Sequence, residues 1–238
     1  MRFDECDAGG AMRPSSLLRA VQDLAWQHSN AAGFDRDWYQ EHGLTWLVRF
    51  VDLRMGAAIE SGTTLRMTTR ITGLRRVWAR RETQIRVADA PDPVAGTTID
   101  WVLVDTVGRP ARVPDAIVNG FDQEAPTFTP ARVHLAVPPL EPTSHPWRVG
   151  VRDLDPMAHV NNATYLDIMD EVMAGATGTL VGPNPPVRYE VEYLRSAMPA
   201  SVVSVRDWPD GPCTTFQLTD ESGTELIRAR VEPGPRDR

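Results

Sequence analysis

Between Val151 and Glu171 the chain reads VRDLDPMAHVNNATYLDIMDE, which sets a carboxylate (Asp155), an imidazole (His159) and two amides (Asn161 and Asn162) among a few turn-forming residues. A helical pattern follows at once, with Leu166, Met169, Val172 and Met173 at helical spacing. Asn162 is placed to cap that helix, because its side-chain oxygen can accept from a backbone N–H of the first turn. N–H groups left free at a helix start, and the positive end of the helix dipole, favour an oxygen that gains negative charge. A carboxylate beside them can act as general base toward water or attack an acyl carbon itself. Each residue also has a plainer role: Asp155 as a turn former, His159 bonding a backbone carbonyl, Asn161 bracing the turn.

The same stretch has a counterpart near the start of the chain. RFDECDAGGAMRPSSLLRAVQD aligns with it without a gap, so that Glu5 falls on Asp153, Asp7 on Asp155 and Leu18 on Leu166. Further on, AGTTIDWVLV (95–104) resembles SGTELIRARV (222–231). The unit repeated is the size of a domain, far longer than a solenoid repeat. It divides the chain into residues 1–122, a Pro-rich linker at 123–146, and residues 147–238. Asp7 becomes a second candidate carboxylate, either binding substrate or left over as a capping group.

The elements that must position these residues follow the same order twice. Met1–Glu5 reads as a short strand. Pro14 suits the first turn of a helix, whose face carries Leu17, Val21, Leu24, Ala25 and His28, and Gly33 is placed to stop it. Asp35–His42 reads as a short helix or a loop. From Leu44 the pattern turns to strands, LTWLVRFVDLRM, TTLRMTTRITGL, VWARRETQIRVA and TTIDWVLVDT, rich in β-branched and aromatic residues and broken at Gly62, Gly73 and Pro91–Pro93. Prolines at 126, 130, 138, 139, 142 and 146 predict an extended, semi-rigid crossing. The second unit then runs strand, reactive turn, helix from Asn162 to about Gly175, and strands VRYEVEYLRSA, SVVSVRDW, CTTFQLTD and ELIRARVE. A long helix followed by consecutive strands is an α+β pattern.

Composition narrows the function. The 238 residues suit two domains, and a hydrophobic fraction of 42% with 7 Trp supplies two cores. A net charge of −7 argues against nucleic acid as a partner. All 25 basic residues are arginine, which excludes a Schiff-base lysine. Cys6 and Cys213 suggest a reduced, cytoplasmic setting. No apolar run is long enough for a bilayer, and MRFDECD is no signal peptide. Neither a metal-binding spacing nor a phosphate-cradling glycine loop stands out, so no cofactor is expected.

DLDPMAHVNNATYLD resembles the D-x-D-x-N-x-H-V-N-N-x-x-Y signature of acyl-acyl-carrier-protein thioesterases of plant and bacterial type. LTWLVRFVDLRMGAAIESGTTLRM, RRVWARRETQIR and VEYLRSA resemble further segments of that family, in register along nearly the whole chain. The resemblance implies a double hotdog fold: two tandem domains, each a long helix wrapped by an antiparallel sheet. It also implies that Asp155 is the reactive aspartate, His159 its histidine and Asn161–Asn162 the conserved amide pair. The first copy would be the acyl-binding half. Met157 stands where the family usually has asparagine, Ser196 where the plant enzymes have glutamate, and Ala197 where they have cysteine.

The reading is therefore a thioester hydrolase acting on a fatty or related acyl chain carried by acyl carrier protein or CoA. Backbone N–H groups around Asn161–Ala163 would hold the oxyanion, Asp155 would activate water or attack, and His159 would orient Asp155 or the water. Arg75 and Arg76, with Arg80, Arg81 and Arg86, would dock an acidic carrier or the phosphates of CoA, unless they form a solvated strand face. Trp26, Trp46, Met55, Met67, Trp78 and Trp101 could line an acyl tunnel or belong to the core. A hotdog dehydratase acting on hydroxyacyl thioesters and a non-catalytic acyl-thioester-binding protein are the rivals. Monomer and homodimer both fit.

Overall fold

The alternating strand patterns fold into one antiparallel sheet, seen in a computed structural model that describes residues 1–121 and 127–234. The first copy contributes β1 (Leu44–Met55), β2 (Leu65–Arg75), β3 (Trp78–Val87) and β4 (Pro93–Asp105). The second contributes β5 (Thr143–Arg148), β6 (Val187–Tyr193), β7 (Val202–Asp210), β8 (Cys213–Thr219) and β9 (Glu225–Pro233). Their order across the sheet is β2-β3-β4-β1-β6-β9-β8-β7-β5. The order of four strands on one side of the β1–β6 seam is mirrored on the other, as a duplicated unit related by a pseudo-twofold axis requires. At the seam Phe50 pairs with Glu192 and Met55 with Val187, so neither copy leaves that edge open.

Two long helices cover one face of the sheet: α1 (Pro14–Ala31) and α4 (Thr164–Thr177). Pro14 starts α1, Gly33 follows its end at φ +88°, and Leu17, Leu18, Val21 and Ala25 are buried. Tyr165, Leu166, Ile168 and Met169 are the buried face of α4, which ends at Gly178 in a left-handed conformation. The two helices are tied by an Arg19–Asp167 ion pair at 2.8 Å. Side chains of both copies merge into one core, in which Leu17, Val51 and Ile99 share a cluster with Leu166, Tyr189 and Ile227.

Two short helices complete the first copy, α2 (Arg36–Glu41) and α3 (Asp115–Gly120), and pack Phe34, Tyr39 and Ile117 into a second cluster with Leu103. Met1–Glu5 is not the expected strand. Phe3–Glu5 form a turn of 3-10 helix, and the pairing just beyond it consists of isolated bridges, Cys6 with Met12 and Ala11 with Glu60. The segment is too short to carry a ladder, and its backbone is used in turn bonds, Glu5 N–H to Arg2 O and Cys6 N–H to Phe3 O.

Residues 123–126 of the expected linker lie outside the described residues. Beyond them the chain crosses the outer face of the sheet. The Phe128 ring packs on Gly73, where a Cβ would stand only 2.5 Å from the ring, and under the Arg80 guanidinium at 4.5 Å. Ala131 N–H donates to Asp100 (2.8 Å), and Val133 N–H to Glu192 across the seam (3.1 Å). The last four residues of 123–146 already belong to β5, which pairs with β7.

Candidate active site

The reactive stretch builds its turn from Asp155 itself. Its Oδ1 accepts from the N–H of Met157 (2.8 Å) and of His159 (3.2 Å), while its own N–H donates to the His159 carbonyl (2.7 Å). Ala158 sits at φ +59° to close the loop. Asp155 Oδ2 has no hydrogen-bond partner among the described residues, so half of the carboxylate is committed to shape and half is available for chemistry. His159 meets Asp155 through backbone. Its imidazole is exposed, with no hydrogen bond to a described residue.

The start of α4 differs from expectation. Asn162 does not cap it; Asn161 Oδ1 accepts from Ala163 N–H (2.9 Å), and the Asn161 carbonyl accepts from Thr164 N–H (2.9 Å). Asn161 N–H in turn donates to the Asp153 carbonyl. Of the three amides considered for an oxyanion, those of Asn161 and Ala163 are therefore engaged. The N–H of Asn162 makes no hydrogen bond to a described residue. Its carbonyl accepts from Tyr193 Oη (2.9 Å), which fixes the plane of that peptide. Tyr165 supports it from below: its Oη accepts from Ala197 N–H, its ring stands edge-on to Trp147 and Tyr193, and burial pushes its pKa up to about 12.

Asp155, Met157, His159, Asn161 and Asn162 line the mouth of a cavity of about 930 Å³. Its walls come mainly from the other copy: α1 through Gln22 and Trp26, β1 through Trp46, β3 through Arg81, and β4 through Trp101. Trp26, Trp46 and Trp101 are thus cavity residues, while Met55 faces elsewhere. Sequence reasoning missed three arginines here. Arg36, Arg49 and Arg195 line the same cavity, with Arg36 and Arg195 exposed. Arg49 also donates to the carbonyls of Tyr193 and Leu194 across the seam. They lie far apart in sequence, and only the β1–β6 pairing brings Arg49 beside the loop that carries Arg195.

Arg75 and Arg76 do not line the cavity. They occupy the exposed tip of the β2–β3 hairpin, with Arg76 at φ +51° and Arg75 donating to the Phe128 carbonyl (3.1 Å). The five arginines of that region separate in space. Arg80 pairs with buried Asp100 on the outer face, Arg81 turns inward, and Arg86 bonds Gln84 and the Pro91 carbonyl.

Asp7 repeats the turn of Asp155. Its Oδ1 accepts from Gly9 N–H (2.8 Å) and Ala11 N–H (3.0 Å), with Gly10 at φ +83° in the place of Ala158. It opens on a separate cavity of about 520 Å³, walled by α4 and the loop Thr179–Pro185. There Asp170 accepts from Tyr189 Oη at 2.6 Å. Burial, with Asp167 and Asp7 adding repulsion, raises its pKa to about 7.

A twice-repeated helix on one continuous sheet, with a polar turn of one copy facing a cavity built by the other, defines a double hotdog enzyme. The family comparison is specific: residues 1–121 match the acyl-ACP thioesterase N-terminal domain and residues 138–232 its C-terminal domain, and the chain belongs to the acyl-ACP thioesterase family, a family of thioester hydrolases. Solved structures share the fold at low identity. A protein provisionally described as an oleoyl thioesterase from Lactobacillus plantarum is 21% identical with a TM-score of 0.80, over 99% of this chain and 94% of that one. The 12:0-ACP thioesterase from Umbellularia californica is 19% identical with a TM-score of 0.81, over 98% and 94%. An acyl-ACP thioesterase from Bacteroides thetaiotaomicron is 15% identical with a TM-score of 0.80, over 96% and 93%. No curated protein matches the sequence.

Proposed function

We propose that the protein releases acyl chains from acyl carrier protein or CoA at the Asp155 turn. The observation that carries this is the juxtaposition, at the mouth of a cavity of about 930 Å³, of an unengaged carboxylate oxygen on Asp155 and an unengaged N–H on Asn162. The acyl chain enters the cavity, and the thioester carbonyl lies at the turn. Asp155 Oδ2 takes a proton from water as the water oxygen attacks the carbonyl carbon. Asn162 N–H, aided by the positive end of α4, holds the oxyanion. Collapse breaks the C–S bond, and the thiolate takes up the proton held by Asp155. His159, exposed at the same rim, orients the water. Direct attack by Asp155, through a mixed anhydride, uses the same atoms.

Arg36 and Arg195 support docking of an acidic carrier or of CoA phosphates at this mouth. Charge reversal at Arg195, compared with reversal at Arg75 and Arg76, tests which arginines face the carrier: the functional set weakens carrier-linked substrates more than simple thioesters.

The deciding measurement is free-thiol release from acyl-carrier and acyl-CoA substrates by wild type and Asp155→Asn. Asparagine retains an oxygen for the Met157 and His159 N–H groups, so the variant folds and melts as wild type does. Its kcat/KM falls about a hundredfold or more. Full activity in Asp155→Asn overturns the assignment, and a new double bond without thiol release points to dehydration instead.

A further inference from the structure

The cavity holds a charge that no described residue neutralises. Arg81 is 7% exposed, lines the cavity from β3, and has no carboxylate within 4.0 Å among the described residues. A guanidinium carries five N–H donors. Among the described residues only Nη1 is engaged, by His28 Nδ1 at 2.9 Å and Thr69 Oγ1 at 3.3 Å, and both partners are neutral groups. His28 is held neutral by burial and by Arg81 itself, both of which lower its pKa. Burial brings Arg81 down to about 10, which leaves it cationic at neutral pH.

The neighbouring polar groups offer no relief. Trp46 Nε1 donates to Tyr39 Oη, Tyr39 shares a hydrogen bond with Ser29 Oγ, and Ser29 donates to the Phe34 carbonyl, so this relay is complete without Arg81. Two further lining residues have donors with no partner among the described residues, Gln22 Nε2 and Trp101 Nε1, but both atoms are shut off from the open space of the cavity, which leaves Arg81 as the group that faces it. An unpaired buried cation is costly, and a cavity meant only for an alkyl chain would not retain one. A guanidinium on the cavity wall with no described carboxylate beside it is half of a recognition site.

We propose that this inner wall binds a carboxylate at the far end of the acyl chain, so that the preferred substrates are ω-carboxyacyl thioesters. The inference rests on the acyl-thioester reading of the cavity. Its dimensions agree with that use. The Asp155 turn is fastened to β6 through Tyr193, and Arg81 stands three strands away on β3, about 14 Å at ordinary strand spacing. A medium-length chain spans this distance with its thioester at the turn and its terminal carboxylate at Arg81. The pairing is charge-assisted and bidentate in principle, since neither Nε nor Nη2 is engaged by a described residue.

The test compares octanoyl, ω-hydroxyoctanoyl and suberoyl thioesters of pantetheine with wild type and with Arg81→Met. Wild type is expected to favour suberoyl over octanoyl by about tenfold or more in kcat/KM, because a site built around polar groups rejects the analogue that leaves them unpaired. Arg81→Met brings that ratio to about one or below. Equal or better turnover of octanoyl by wild type overturns the proposal, whether or not the variant folds. A preference for the hydroxy chain over the carboxy chain also overturns it, because an uncharged acceptor would then suffice. Failure of the hydrolase reading looks different: no thioester of the three releases thiol. In that event calorimetric binding of suberate against octanoate still decides the question, with tighter binding of suberate, lost in Arg81→Met, as the supporting result.

Discussion

Single side chains divide into those that spend their polar atoms on shape and those left unspent. Asp155 does both. Asp170 is the opposite case, a carboxyl in the second cavity that still holds its proton in mildly acid solution, because desolvation raises its pKa to about 7 despite the Tyr189 hydroxyl it accepts from. The sign of its effect on stability follows from linkage. Between the ordinary carboxylate pKa and about 7 the folded protein keeps a proton that the unfolded chain has released, so stability falls as pH rises through that window. Asp170→Asn removes the titration and retains an acceptor for Tyr189. It should melt close to wild type at about pH 4 and above it at about pH 8. Equal offsets at both pH values in thermal melts would contradict a buried, titrating acid.

At the level of elements, the start of α4 matters most, because the Asn162 N–H points where the helix entry points it. Asn161→Ala removes the acceptor for Ala163 N–H and should cost about 1 kcal/mol in denaturant unfolding. It should also lower kcat more than it raises KM, since the oxyanion donor moves and the cavity does not. Much of this level was legible in the sequence. β1 runs over the residues its alternation marked, and α1 begins at Pro14. What was not legible has physical reasons. A strand was expected ahead of the reactive turn, but the start of β5 was read as linker because of its prolines, which an edge strand tolerates since Pro146 pairs on one side alone. α3 spans six residues, too few for a helical period to show. No side chain caps α4: its N-cap residue is Ala163, and the Asn161 amide is spent one step earlier, on the Ala163 N–H of the turn. Arg81 looked like its neighbour Arg80. Strand alternation does separate them, since Arg81 shares a face with buried Ala79, Thr83 and Ile85, but nothing local shows that this face borders a void.

Across the whole molecule, the β1–β6 seam makes one sheet of two copies. Asp52 on β1 accepts from Arg54 beside it and from Arg188 on β6, where Glu190 also holds Arg188. Burial works to raise the Asp52 pKa, but the hydrogen bonds from Arg188 and Arg54 prevail and hold it below the usual carboxylate range. Asp52→Ala should destabilise by about 2–3 kcal/mol while unfolding remains a single transition by fluorescence and circular dichroism. Two separated transitions would mean that the copies fold independently. The tandem arrangement has a last effect. In a symmetric pair of identical subunits every substitution is made twice, once in each chamber. Here Gln22 borders one cavity and Asp170, its partner in the repeat, borders the other. Each chamber can therefore drift on its own, and a lineage can retune what one of them accepts while its twin stays as it was.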